Sequence, residues 1–235
     1  MNSKAQGILI YSKVFKENDL YIKFLTNNDE ILSGIVYGGL SRKKRSLFQN
    51  GFFLNFNINR KLNRPLSISA DLMEPYLYSM INNKYKLNCL LSTISLVNLS
   101  IIEGQKVDNI FNITKSFIVN MINKDNWILF HCKFLLNLLK VIGYEIDYKN
   151  VVEKKYFDLQ KLEFTTNKTN SSLLFPHKLL YEENIKSINY TSINNIFQIF
   201  ENIFTKHHLT NLNLYLPNQY LLFKKLIIDH LSKYE

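Results

Sequence analysis

The hydrophobic period of this chain changes once, near residue 78, and that change limits what the chain can fold into. Before it, AQGILIYSKVF, DLYIKFLT, ILSGIVYG, FFLNFNINR and PLSISADLM are short runs rich in β-branched and aromatic residues. They are separated by turn chemistry at KEND (16–19), NNDE (27–30), a basic loop, and KLNRP (61–65), which is the signature of strands. In FFLNFNIN, Phe53, Asn55, Asn57 and Asn59 face opposite to Phe52, Leu54, Phe56 and Ile58, the alternation of a half-buried strand. Five short strands in about 75 residues predict a small closed barrel of the OB type.

After Met80 the spacing becomes helical. LNCLLSTISLVNLSII (87–102), ITKSFIVNMI (113–122) and WILFHCKFLLNLLKVIG (127–143) are too long and continuous for strands. Gly143 reads as a helix stop. Residues 145–190 are polar and irregular, with TTNKTNSS (165–172) as an exposed loop. Two further helices follow at 192–208 and 217–233, the second opened by Pro217. The fold class expected is α+β: an N-terminal OB-fold β-barrel over 1–78, then an all-helical C-terminal domain over 79–235 with an irregular segment at 145–190.

Charge is distributed unevenly. The net charge is +10, which points to nucleic acid or another acidic partner. The abundance of Lys, Asn, Ile and Tyr matches an A+T-rich coding sequence, so the lysine total carries little weight. The arginines carry more. Arg42, Arg45, Arg60 and Arg64 are all the arginines of the chain, and from Ile31 to Ala70 there is no acidic residue. Arginine presents a planar five-donor fork that suits phosphate and stacks on bases, which lysine cannot copy. GGLSRKKRSLFQN (38–50) places Arg42, Lys43, Lys44 and Arg45 in succession. Beside them Tyr37 and Phe48 are the aromatic residues best placed to stack on bases.

Catalytic chemistry is sparse. The sequence has no phosphate-binding G-x-x-x-x-G-K-[ST] loop, no G-x-G-x-x-G, no G-x-S-x-G and no H-E-x-x-H. His207 and His208 are adjacent near a helix end, and Glu17 and Asp19 lie in a tight turn; both pairs read as structural. Cys132 falls in an apolar helix and reads as core. With Cys89 the only other cysteine, neither a disulfide framework nor a C-x-x-C zinc site can form. No basic stretch followed by a long apolar core opens the chain, and no apolar run reaches the roughly 20 residues of a membrane span. The expectation is a soluble, cytoplasmic protein that is not an enzyme and carries no cofactor.

In order along the chain, GILIYSKVFKENDLYIKFLT, ILSGIVYGGLSRKKRSLFQ and FLLNLLKVIGYEID resemble the RecO family of DNA recombination mediators. The matching elements are Glu17-Asn18-Asp19-Leu20, Leu25-Thr26, Gly38 with Arg42 to Arg45 and Gln49, and Gly143-Tyr144. The helix after LPNQYLLF also sits where the family has one. The resemblance implies an OB barrel and a helical domain that bind single- and double-stranded DNA and anneal complementary strands. It implies partnership with RecR, RecF and single-strand binding protein, and through them the loading of RecA, within the RecF pathway of DNA repair at the nucleoid.

On that reading Arg42, Lys43, Lys44 and Arg45 contact the DNA backbone, joined by Arg60, Lys61 and Arg64 on the loop before the last strand. The resemblance also places a dock for the acidic, apolar tail of single-strand binding protein on the helical domain, with Lys133 as leading contact and Lys140 at i+7. Many members carry a four-cysteine zinc motif after the G-Y helix. Here DYKNVVEKKYFDLQKLEF has no cysteine, so no metal is expected, and Val151, Val152, Tyr156, Phe157, Leu159 and Phe164 must hold the segment by packing. Two other readings remain open: an OB-fold RNA-binding protein of the translation apparatus, and a non-catalytic scaffold whose basic loop meets acidic protein.

Overall fold

The computed structural model describes residues 2–151, 153–181 and 189–233. Its first five strands are β1 (Asn2–Lys16), β2 (Asp19–Thr26), β3 (Ile31–Val36), β4 (Phe53–Asn59) and β5 (Ser67–Glu74). They close into a barrel in the order β1-β2-β3-β5-β4, the OB-type arrangement. Closure depends on β1 serving two neighbours. Its first half pairs with β4 and its second with β2, and a register shift between Leu9 and Tyr11 bends it between them.

Alternation supplies the interior. Leu20, Ile22 and Phe24 on β2 meet Leu54, Phe56 and Ile58 on β4 inside the barrel, with the Phe24 and Phe56 rings stacked at 3.9 Å between centroids. Phe53 breaks the expected pattern. Although it falls in the outward phase with Asn55, it is buried, its ring edge-on to Tyr76 at 5.0 Å. The 3-10 turn Tyr76–Ser79 covers that end of the sheet.

Gly34 lets the barrel shut. A Cβ there would lie 2.6 Å from the Leu66 carbonyl oxygen and 2.6 Å from the Ile68 side chain, so any larger residue would push β5 off β3. With glycine in place, the Ile35 N–H donates to the Leu66 carbonyl at 2.8 Å and Ile35 pairs in parallel with Ser67.

The helices follow as α1 (Lys84–Ser100), α2 (Ile110–Asn123) and α3 (Trp127–Val141). The Asn83 side chain caps α1 by accepting the N–H groups of Tyr85 and Lys86 at 3.1 Å. As expected, α3 ends before Gly143, whose φ of +97° is open to glycine at little cost. One apolar core runs from the barrel interior into the helices.

The segment after α3 has more order than its sequence suggests. Strands β6 (Tyr156–Asp158), β7 (Glu163–Thr165) and β8 (Ser172–Leu174) form a small antiparallel sheet in the order β7-β6-β8. This sheet is an addition to the expected all-helical second half. TTNKTNSS is not simply an exposed loop, because Thr169 and Ser171 turn their hydroxyls inward to the Asp158 carboxylate at 2.7 and 2.8 Å. Phe157, Phe164 and Phe175 pack edge-on beneath. Val151 is half-buried, and Val152 lies outside the described residues.

The chain closes with α4 (His177–Tyr181), α5 (Tyr190–Ile203) and α6 (Asn218–Leu231). Pro217 immediately precedes α6. A π-helical turn, Phe204–Leu209, extends α5. His208 there stacks on Phe204 and bonds through Nε2 to the Leu99 carbonyl at 3.1 Å, and Tyr144 donates to the His207 carbonyl at 2.7 Å. Both histidines thus tie the end of α5 to α1 and α3. Among the described residues no helix is long and apolar enough to cross a membrane.

Candidate nucleic-acid interface

The parallel pairing of Ile35 with Ser67 has a topological consequence. The chain enters β5 from the 60–66 loop at the end of the barrel opposite to the one where it leaves β3 into the 37–52 loop. Leu20 pairs with Val36, so the β1–β2 hairpin turn lies where the chain leaves β3. Arg42, Lys43, Lys44 and Arg45 are exposed there, and Arg60, Lys61 and Arg64 are exposed at the other end. The seven basic residues therefore form two groups, four beside the β1–β2 turn and three on the loop between β4 and β5. Glu17 and Asp19 belong to the hairpin beside the first group, and Asp19 is committed to structure, accepting the Gly38 N–H at 2.9 Å.

That bond anchors the basic loop. Gly38 has φ of +64°, a left-handed conformation that starts the turn out of β3. The Leu40 N–H then donates to the Asn18 carbonyl at 3.0 Å, fixing the loop to the hairpin. Beyond it the basic residues form a compact helical turn: the N–H groups of Lys44 and Arg45 donate to the Ser41 carbonyl at 3.0 and 2.9 Å. Gln49 closes the turn by donating from Nε2 to the Arg45 carbonyl at 3.0 Å. Lys44 partly folds back, its Nζ on the Tyr37 carbonyl at 3.0 Å. Arg42, Lys43 and Arg45 project from a braced turn, which lowers the ordering cost of meeting a phosphate.

The two aromatic candidates separate. Tyr37 is 53% exposed at the rim and open to a base. Phe48 is only 4% exposed and is withdrawn as a stacking residue; it is the apolar anchor that returns the basic turn to the barrel. The periodicity of a loop does not reveal which aromatic points inward.

The hairpin supplies aromatic surface that the sequence reading passed over. Phe15 is 46% exposed with the Lys16 ammonium 5.7 Å from its ring centroid. Tyr11 and Lys13 share the outer face of β1 with Tyr21 and Lys23 opposite them on β2, and the two tyrosine rings meet edge-on at 6.3 Å. Tyrosines alternating with lysines on one sheet face form a platform suited to unpaired bases. The available signal was the pattern Y-x-K-x-F in YSKVF facing Y-x-K in YIK.

On the helices, Lys133 and Lys140 part company. Lys133 lines a groove of about 270 Å³ between α2 and α3, in which Ile113, Phe117, Phe130 and Phe134 alternate with Ser116 and the amides of Asn109, Asn112, Asn120 and Asn137, with its ammonium 5.8 Å from the Phe130 centroid. Lys140 lies outside this groove and pairs with Glu145, whose hydrogen bond and charge raise its pKa.

Buried titratable groups sit elsewhere. Burial pushes the Cys132 thiol up to about 12 and raises Cys89 well above its ordinary value. Both are fully buried between α1 and α3 and unsuited to nucleophilic work. Burial also lowers His131 to about 3, inside a cage of Phe117, Phe134, Phe197 and Phe223 rings. Among the described residues no group of three or more His, Cys, Asp or Glu is arranged to hold a metal ion.

No protein-family model matches the chain. Among curated proteins it is similar to "DNA repair protein RecO" of Rickettsia canadensis (strain McKiel), 28% identical over 197 residues, 79% of this chain and 81% of that protein. The protein of the same name from Rickettsia akari (strain Hartford) is 31% identical over 148 residues, 63% of this chain and 62% of the relative. That from Rickettsia bellii (strain OSU 85-389) is 30% identical over 151 residues, 63% and 61%. These last two matches span a little over three fifths of the relatives' length. With an OB-type barrel, a helical second half and relatives that carry one name, the chain is similar to the RecO family of DNA repair proteins.

Proposed function

We propose that this protein is a recombination mediator that binds single- and double-stranded DNA, anneals complementary strands and helps load recombinase onto strands coated by single-strand binding protein. The observation that supports this reading is the braced turn that holds Arg42, Lys43 and Arg45 exposed beside the β1–β2 hairpin, with Arg60, Lys61 and Arg64 exposed on a second barrel loop. Phosphates of two strands repel each other. A cationic surface that neutralises both lets them approach, and base pairing supplies the driving force without hydrolysis of a nucleotide. Backbone contacts hold either strand without reading its sequence.

In this reading residues 1–78 form the DNA-binding domain, with Arg42, Lys43, Arg45, Arg60, Lys61 and Arg64 on phosphates and Tyr37 stacking. Residues 79–235 serve partners: RecR, RecF and the acidic tail of single-strand binding protein, and RecA indirectly. The groove beside Lys133 takes the tail, since Phe130 and the ammonium suit an apolar, carboxylate-ended peptide and the asparagine amides along it suit the peptide backbone. No catalytic residue is required, and the protein works at the nucleoid.

The test is annealing of complementary strands coated with the cognate single-strand binding protein. Addition of this protein should accelerate duplex formation without nucleotide. No acceleration, together with absence of DNA binding at moderate salt, would sink the proposal; a strong preference for RNA in competition would move it to the translation apparatus.

A further inference from the structure

The outer face of β4 is composed in an unusual way. Asn55, Asn57 and Asn59 occupy its three outward positions. Each is flanked in register: Asn59 by Asn2 and Ser67, Asn57 by Lys4 and Ser69, Asn55 by Gln6 and Asp71. The result is a field of amides and hydroxyls across β1, β4 and β5 with a single cation and a single anion. Two adjoining hollows of about 480 and 540 Å³ lie along it and share Lys4 and Asn57.

Asparagine is common throughout this chain, but strand structure does not favour three in one outward row. Asparagine is depleted from strands, where Thr or Val packs better on a pleated surface. Charged or polar guards protect the free edge of a sheet, yet β4 is paired on both sides and has no edge. Among the described residues none of the three amides is engaged by another side chain or by backbone. Asn55 is exposed, and Asn57 and Asn59 are half-buried along the hollows.

We infer that this face is a track for the bases of single-stranded DNA, continuing from the basic loop between β4 and β5. This rests on the reading of the protein as a DNA binder. A primary amide offers two donors and an acceptor in one plane, the complement of a base edge, and asparagine pairs bidentately with adenine. In a duplex the Watson–Crick edges are occupied; in a single strand they are open. The track has a polarity of charge. Asn59 adjoins Arg60 at that loop, whereas Asp71, in the row farthest from it, lies where phosphate is least welcome. A strand whose backbone is held by Arg60, Lys61 and Arg64 can lay its next bases over Asn59 and Asn57. The Tyr11–Tyr21 platform lies elsewhere on the barrel, on β1 and β2 toward the end that carries Arg42 to Arg45.

The test is a variant with Asn55→Thr, Asn57→Thr and Asn59→Thr, compared with Arg42→Ala, Lys43→Ala, Lys44→Ala and Arg45→Ala combined. Threonine favours strands, so the melting temperature should hold; Asn57→Thr alone gives a milder second reading. Affinity for a mixed-sequence single strand should fall about tenfold in the asparagine variant. The fall should be equal at every salt concentration, because no charge is lost, and affinity for the matching duplex should stay unchanged. The basic-loop variant should instead flatten the salt dependence for both DNAs. Unchanged single-strand affinity in the asparagine variant, or an equal loss on duplex, overturns the track while leaving the DNA-binding reading in place. If the basic-loop variant changes neither affinity nor salt dependence, the DNA-binding reading itself falls.

Discussion

The Asp29 carboxylate, in the turn between β2 and β3, accepts the backbone N–H of Phe111 at 2.9 Å through Oδ1, while its Oδ2 accepts that of Asn109 at 3.0 Å. A residue of the barrel thereby caps α2, whose own N-cap, Asn109, makes no side-chain bond because it sits in the left-handed region at φ of +71°. The same turn is bridged by the Val107 N–H to the Asp29 carbonyl at 2.9 Å and by pairing of Glu30 with Lys106.

Asp29→Ala should therefore cost about 1–2 kcal/mol, the range of a lost helix cap. Urea denaturation measures it. Because the cap joins barrel to helices, hydrogen exchange should rise in the first turn of α2 before it rises inside the barrel. A stability change under 0.3 kcal/mol, well below the usual ~1 kcal/mol of a cap, would mean that water replaces the carboxylate at no cost.

The basic loops make a prediction in salt. If about five phosphate contacts form with a single strand, log K should fall with log salt at a slope of about −3.5, from about −0.7 per contact. Replacing Arg42, Lys43, Lys44 and Arg45 by Ala should flatten that slope without unfolding the protein, since all four side chains are exposed. Of the four, Lys44 should matter least because its ammonium is already engaged by the Tyr37 carbonyl.

Lys133→Glu should weaken binding of a labelled peptide matching the tail of single-strand binding protein. A rim charge of this kind is worth up to about 1 kcal/mol, or about fivefold. Lys140→Glu should leave the peptide affinity unchanged, because Lys140 lies outside the groove and faces Glu145. Equal weakening by both variants would indicate a diffuse charge effect in place of a groove.

Acid should destabilise the protein in two steps. His131 is caged by phenyl rings, with neither ring nitrogen hydrogen-bonded, and burial lowers it from 6.5 to about 3. As pH falls below 6.5 the unfolded chain takes up a proton that the folded chain refuses, so stability drops by up to about 1.4 kcal/mol per pH unit. Asp158 acts lower. The Lys161 N–H, the hydroxyls of Thr169 and Ser171 and the Gln160 N–H hold its carboxylate well below the usual range. Its contribution is present above an unfolded value of about 3.9 and lost as pH falls through the folded one. Denaturation of His131→Leu between pH 6.5 and 4.5 should show a flatter stability profile than wild type, because Asp158 remains ionised throughout. A profile as steep as that of wild type assigns the loss to other groups.

The strands, the long helices and the basic loops were legible in local pattern. The alternation in FFLNFNINR and the spacing in WILFHCKFLLNLLKV each record which side of an element meets the core, a property written residue by residue. The concentration of arginine between residues 42 and 64 is likewise visible in one dimension. The small β6–β8 sheet was not, because three-residue strands carry too few positions for a period, and its centre, Asp158, is held by hydroxyls from a loop that reads as solvent-exposed.

What sequence determined, then, is each element's type and the chemistry it carries. Only the tertiary structure decided what that chemistry faces. Phe48 and Tyr37 are both aromatics beside the same charges, yet one fills the core and the other meets solvent. Arg45 and Arg60 are fifteen positions apart, yet the strand pairings put them at opposite ends of a barrel that closes because Gly34 is small enough for β5 to pair with β3. Burial and barrel closure are relations between distant segments set by packing, and no local window of sequence contains them.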